Sequence, residues 1–297
     1  MRKLWIVGVV ASSMSLAACG VSATINQAVS SIGSSPTLQV HLTASASGAN
    51  SAQVIGALNA LSVNMNYSST TGSALSQSTG NINTEVTVND NAQTLVDLRA
   101  IGTDVYVEIN PTAFASIPGT HFTSQQLTGL QLLVGGRWFD FSEGFIKSVL
   151  PTTTISAAQT SKEQTAVRSI IDALSALIEK TPYTTISGGG YSQTGTLESV
   201  VNAALPAIDT YAGKTITPHS VKGSYTIGFT MSGATATGGS IAITAPNGTS
   251  GTTTVDLHAT LTHNNVPVVT PTGATVVTRA MLTQLLGQVS STSTPLG

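Results

Sequence analysis

Among residue types that carry chemistry, the sequence places its single cysteine, Cys19, where a thiol has a use, and scatters the rest. The five histidines are His41, His121, His219, His258 and His263. None forms a helical two-His pair, and neither an H-E-x-x-H run nor a cysteine cluster is present to hold zinc. His258 and His263 have only Asp256 nearby, which reads as a surface or loop role. Ser192 lies in Gly190-Tyr191-Ser192-Gln193-Thr194-Gly195, where the second glycine comes one position too late for a G-x-S-x-G nucleophile turn. Gly188-Gly189-Gly190 lacks the Lys-Ser/Thr of a phosphate loop, so a turn or bulge is expected there. The thirteen acidic residues are dispersed. Glu85, Asp97 and Glu108 fall on the polar side of predicted strands, where solvation is the expected role. A carboxylate pair distant in sequence, as glycosidases use, stays open. The expectation is a chain without catalytic residues, metal or cofactor.

Cys19 closes the segment MRKLWIVGVVASSMSLAACG. Arg2 and Lys3 supply a positive start, and the run from Leu4 to Ala18 is shorter than the roughly 20 apolar residues of a membrane span. That combination predicts a secretory signal peptide over 1–18. Leu16-Ala17-Ala18-Cys19 resembles the lipobox of bacterial lipoproteins. The resemblance implies cleavage before Cys19, diacylglycerol on its thiol and attachment to the outer face of the cell membrane. Two acyl chains suffice for stable anchoring. A chain exported into an oxidising compartment also gains from having no second thiol to mispair. The competing reading is an ordinary secreted protein whose signal contains a cysteine.

Composition narrows the class further. Only 8% of residues are charged, against roughly 25% in ordinary soluble domains. Ser and Thr stand in for the missing charge, and Thr favours strands. A net charge of −2 gives no basic face for nucleic acid. Two Trp, six Tyr and six Phe offer little for an aromatic sugar platform.

The elements follow from periodicity. Residues 19–35 read as a flexible tether of small and polar residues, with one folded domain over 36–290 and a disordered tail over 291–297. Leu38, Val40 and Leu42 alternate with polar residues as a half-buried strand does. A short helix is predicted over Ser51 to Leu61. Val86 and Val88, then Val96, Leu98 and Ala100, then Val105, Val107 and Ile109 alternate likewise. With turn residues between them they form a meander with one wet face. Ser161 to Lys180 carries Val167, Ile170, Ile171, Leu174, Leu177 and Ile178 at helical spacing. Thr196 to Tyr211 does the same with Val201 and Leu205, although Pro206 is expected to kink or break it. Strands return with Ile227, with Ile241 and Ile243, and with Val255, Leu257, Ala259 and Leu261. Val266 to Pro271 is expected to extend away, and Thr278 to Val289 to close with a short helix. The order strands, helices, strands, helix predicts an α+β domain with helices on one face of an antiparallel sheet.

Three segments carry a wider resemblance. Asp97 to Val107 (DLRAIGTDVYV), Arg137-Trp138-Phe139-Asp140 and Leu261 to Pro271 (LTHNNVPVVTP) are similar to segments of actinobacterial LppX/LprG-type lipoproteins. This chain departs from them in its low charge, its Ser/Thr richness and Asn264-Asn265. The resemblance implies a curved antiparallel half-barrel sheet with helices packed across the concave face, as in the carrier LolA. It also implies an activity, holding a lipid or lipidated glycan in an apolar cavity and carrying it across the envelope, with a transporter as further partner. The lining is then expected at Val96, Leu98, Val105, Val107, Ile170, Leu174, Val201, Leu205, Ile227, Val255 and Leu257. Read from the residues alone, the same side chains favour a filled core, and only the resemblance sets the cavity beside it. Two alternatives therefore stand beside the carrier: a non-catalytic envelope module that binds another protein, and a hydrolase should His, Ser and Asp converge.

Overall fold

The computed structural model describes residues 21–48, 52–78, 80–91, 93–117, 120, 122–145, 157–187, 189–215, 221–247, 251–263, 266–281 and 283. The signal segment, Cys19, His121, His219, most of the closing helix and the tail lie outside them. The chain is α+β and its strands form an open, mostly antiparallel sheet. The strands are β1 (Thr37–Gly48), β2 (Leu61–Ser69), β3 (Ile82–Asp90), β4 (Gln93–Ile101), β5 (Asp104–Ile109) and β6 (Trp138–Phe141). After the central helices come β7 (Thr184–Ile186), β8 (Gly190–Thr196), β9 (Ser224–Ser232), β10 (Thr235–Asn247), β11 (Gly251–Thr262) and β12 (Thr275–Val276). Their order is β12-β6-β5-β4-β3-β2-β1-β11-β10-β9-β8-β7. By contacts the chain divides into two compact units, Pro36–His41 with Gly56–Thr152 and His263–Gly297, and Met1–Ser35 with Leu42–Ile55 and Thr153–Thr262. We call them the meander unit and the helix-pair unit.

In the meander unit the period-two pattern becomes two chemically distinct faces. Register pairs Met65 with Val86, Val86 with Leu98, Leu98 with Val107 and Val107 with Phe139, so one face is aliphatic and aromatic. The alternate positions pair Asn66 with Glu85, Glu85 with Arg99, Arg99 with Tyr106 and Tyr106 with Asp140. The β3–β4 turn needs a left-handed residue and uses Asn91 at φ 50°, and β4–β5 uses Gly102 at φ 62°. Strand β2 was not anticipated, although Val63, Met65 and Tyr67 alternate with polar residues. Two further helices are not among the expected elements, α3 (Pro111–Ala115), which is a single turn or so, and α4 (Ser124–Val134). Asn110 caps α3, while Thr123 and Gln126 close a reciprocal capping box on α4.

The segment after β11 does not extend away. It crosses the polar face and is fastened once on each strand it passes. The Ser68 hydroxyl of β2 accepts from the Val268 amide at 3.0 Å, and Asn83 of β3 donates to the Val268 carbonyl at 3.2 Å. Arg99 of β4 donates to the Val269 carbonyl at 3.1 Å, and the Tyr106 hydroxyl of β5 is bonded to Thr270. β12 then pairs parallel with β6. Val268 and Val277 are buried at 5% and 4% exposure, which anchors both ends of this strap. Its prolines exclude a ladder, so polar side chains rather than strand pairing hold its middle.

The helix-pair unit corrects the expected tether. Val21–Ile32 is a helix, α1, lying along β10. Ile25, Ala28 and Ile32 are spaced by three and four residues, and Ile25 and Ala28 are buried at 1% and 2% exposure. Ala28 packs with Met231 and Ala236, beside Ile32, Tyr191 and Leu261. Burial of one Ile side chain supplies about 1.5–3 kcal/mol, enough to hold a short helix that small polar residues would leave unfolded alone. A short helix, α2 (Ala52–Ala60), stands where one was predicted. The long central helices are α5 (Ala157–Lys180) and α6 (Leu197–Ala212), which pack against each other. Pro206 lies inside α6 without ending it. Its missing amide removes one backbone bond, but Pro206 is exposed and packing of α6 on α5 holds the helix.

Candidate functional site

The expected lining residues separate into two sets, each coherent within its own unit. Val96, Leu98, Val105 and Val107 share the apolar face of the meander unit, where Leu98 lies between Val86 and Val107 and Val105 beside Phe141. All four are half-buried. In the helix-pair unit Ile227 pairs with Ile241 and Ile241 with Leu257, while Ile243 pairs with Val255. This face is open: Leu257 is 48% exposed, Ile241 43% and Ile243 39%. Ile170 and Leu174 on α5, and Val201 and Leu205 on α6, are half-buried. A shallow concavity of about 290 Å³ occurs elsewhere, lined by Gly56, Asn59, Ala60, Asp90, Asn91 and Ser116. None of the expected lining residues belongs to it.

The polar face of the meander unit is a charge ladder beneath the strap. Arg99 Nε stands 2.8 Å from Glu85 and its Nη2 donates to Asp97 at 3.2 Å. The guanidinium also lies 4.6 Å from the Trp138 ring centroid, a cation–π contact. Glu85, Asp97 and Arg99 keep only 17%, 13% and 21% of their side-chain surface, so the solvated role expected for the two acids is corrected. Burial pushes the Asp97 carboxyl up to about 6, with Glu85 adding to the rise and Arg99 opposing it. Asp140 is likewise raised by burial and by Asp104. The arrangement fastens the strap. Among the described residues no group of three His, Cys, Asp or Glu side chains could hold a metal ion. His41 is bonded to Asn64 at 2.6 Å, His263 approaches the Thr37 carbonyl at 3.3 Å, and His258 is exposed. None of these three meets Ser192, whose carbonyl accepts from Thr184.

The residues missed at the sequence level are Tyr183, Gln193 and Tyr225. Gln193 pairs with Ile227 on the open apolar face and is 2% exposed, yet among the described residues neither its amide nitrogen nor its carbonyl oxygen has a partner. The hydroxyls of Tyr183 and Tyr225 are also shielded and have no partner among the described residues. Continuing the β7–β8 register by one residue from Thr184↔Ser192 places Tyr183 opposite Gln193. Tyr183 packs on Phe229 at a centroid distance of 6.0 Å. The Tyr225 ring lies over Gly195, where any Cβ would stand 2.5 Å from it. Gly195 is one strand repeat from Gln193 on the same face, about 7 Å along the chain. The available signal was Gln193 at an inward position of the alternation Tyr191, Gln193, Gly195. No family model matches the chain, and no curated protein matches it.

Proposed function

We propose that this protein is an envelope lipoprotein, cut before Cys19 and held at the outer face of the cell membrane by lipid on that residue. In this reading it holds a lipid or other amphiphile against an apolar sheet face and carries it across the envelope. The observation that carries the reading is the row Ile227, Ile241 and Leu257, whose last two members are large aliphatics left about half exposed on a strand face. Isolated exposed aliphatics are ordinary; a cross-strand run of them marks a surface meant to be covered. Each 100 Å² of apolar ligand surface removed from water contributes about 2.5 kcal/mol, so no covalent chemistry is needed. The half-barrel of the LppX/LprG and LolA type is the finer form of the fold that this function calls for. Mass spectrometry of protein gently purified from its native host tests the reading: co-purifying lipid is expected, and consistently empty protein counts against it.

A second reading rests on the same exposed row. An open aliphatic face also suits another envelope protein, such as a transporter subunit, without any ligand. Cross-linking at Ile241 that captures one protein in stoichiometric yield, with no bound lipid, favours that reading.

A further inference from the structure

We infer that Tyr183, Gln193 and Tyr225 form the head-group site for an amphiphile with an uncharged, hydroxyl- and ester-bearing polar end, whose apolar part lies along Ile227, Ile241 and Leu257. This rests on the ligand-holding reading above and names its ligand class. The strands align the two halves in one line: Gln193, Ile227, Ile241 and Leu257 are successive cross-strand partners, and Tyr183 immediately precedes the β7 residue Thr184, which pairs with Ser192. One end of the line is polar and shielded, and the other is apolar and open. That is the complement of an amphiphile.

The chemistry of the polar end follows from its donors and acceptors. A buried amide without partners is costly, and native proteins pair nearly all such groups with protein, water or ligand. Gln193 presents two N–H donors and one carbonyl acceptor, and each tyrosine presents an O–H donor. Burial pushes the Tyr183 hydroxyl up to about 12, with Tyr225 adding to the rise, so Tyr183 stays a neutral donor in any physiological medium. No charged side chain contributes to that shift. A carboxylate or phosphate head would find no countercharge among these three. An ester carbonyl and a hydroxyl would satisfy the tyrosine donors and both ends of the Gln193 amide. Glycine at 195 is part of the construction, because any side chain there would displace the Tyr225 ring.

Calorimetric titration of the full chain, purified free of native lipid, with monodecanoylglycerol, decanoate and glycerol tests the site. Monodecanoylglycerol is expected to bind at least about tenfold more tightly than decanoate, and glycerol alone to show no binding. Gln193→Leu is expected to reduce monodecanoylglycerol to the decanoate level, leave decanoate unchanged and not lower the Tm of the empty protein. Tyr183→Phe and Tyr225→Phe, which remove one oxygen each, are expected to weaken monodecanoylglycerol several-fold, and they carry the test should Gln193→Leu not fold. Equal binding of the two decanoyl compounds overturns the head-group site while leaving the ligand-holding function standing. So does a Gln193→Leu protein with a raised Tm and unchanged titrations, which is the signature of a trapped water. Glycerol bound as tightly as its ester overturns the apolar half of the site. Absence of binding by every probe removes both the site and the function it rests on.

Discussion

The polar face of the meander unit and the apolar row of the helix-pair unit both shield polar side chains on a strand surface, but they treat them differently. On the meander face each strand from β2 to β5 has a polar side chain held by the Val266–Val277 strap or the Arg99 ladder, although single oxygens of Asn66, Asn83, Asp97 and Asp140 stay unpaired among the described residues. On the other face Gln193 and two tyrosine hydroxyls are shielded with no answer from the described residues. Pairing supplied within the chain makes a fastening. Gln193 differs in that both ends of its amide are left over, and that is where the ligand head group is proposed.

The largest expected effect comes from breaking the fastening at its centre. Arg99→Leu keeps the aliphatic stem but leaves Glu85 and Asp97 shielded without their cation and the Val269 carbonyl without its donor. Removing one partner of a buried pair costs about 3–5 kcal/mol, and partial exposure here lowers that to about 2–4 kcal/mol. Urea unfolding at pH 7 measures it; a loss under about 0.5 kcal/mol shows that the ladder is solvated and the contrast empty.

Ser68→Ala probes the same fastening at a single bond. Ser68 is 2% exposed and its hydroxyl serves the Val268 amide. An amide left shielded and unpaired costs about 1–3 kcal/mol. Hydrogen exchange sharpens the point, since the Val268 amide should lose protection before the β2–β3 ladder does.

Much of this contrast was legible in the sequence, and the rest was hidden for identifiable reasons. Strict alternation around Val96, Leu98, Val105 and Val107 gave the meander and its two faces, because a strand's side-chain period is two whatever covers it. What covers each face is a tertiary fact. Nothing local told Val266–Pro271 to fold back rather than extend, since its bonds reach residues such as Asn83 far away in the chain. The α1 stripe was present in Ile25, Ala28 and Ile32, but Ser and Gln between them resembled a linker. Pro206 was judged by a local rule, and packing against α5 outweighed it. Gln193 looked like any polar residue in a Thr- and Ser-rich strand. Only the register, which sets it beside Ile227, reveals it as misplaced.

Asp97 gives a pH-dependent test of the ladder. Its carboxyl is raised from 3.8 to about 6, so the folded state binds a proton that the unfolded state has released between roughly pH 4 and 6. Stability from this group is full below about pH 4, falls as pH rises through 6 and stays low above it. Asp97→Asn should flatten that slope and add about 1–2 kcal/mol at pH 7, after allowance for solvent screening and for the lost Arg99 bond. Urea midpoints at pH 4, 5, 6 and 7 read the slope, and a midpoint that rises with pH across this window in the unaltered protein contradicts the burial of Asp97.

The smallest stability effect belongs to the open face, and its smallness is the point. Ile241 is 43% exposed, so Ile241→Ser removes little buried surface from the protein alone and should change stability by about 0.5 kcal/mol or less. The same change removes a methyl-rich contact from the middle of the line that runs from Gln193 to Leu257. Loss of apolar contact there should weaken decanoyl ligands about five- to tenfold, near 1–1.4 kcal/mol. A side chain that costs nothing to the fold and much to the ligand is present for the ligand. Had Ile241→Ser instead unfolded the protein while sparing binding, the row would be core, and the two faces would differ only in polarity.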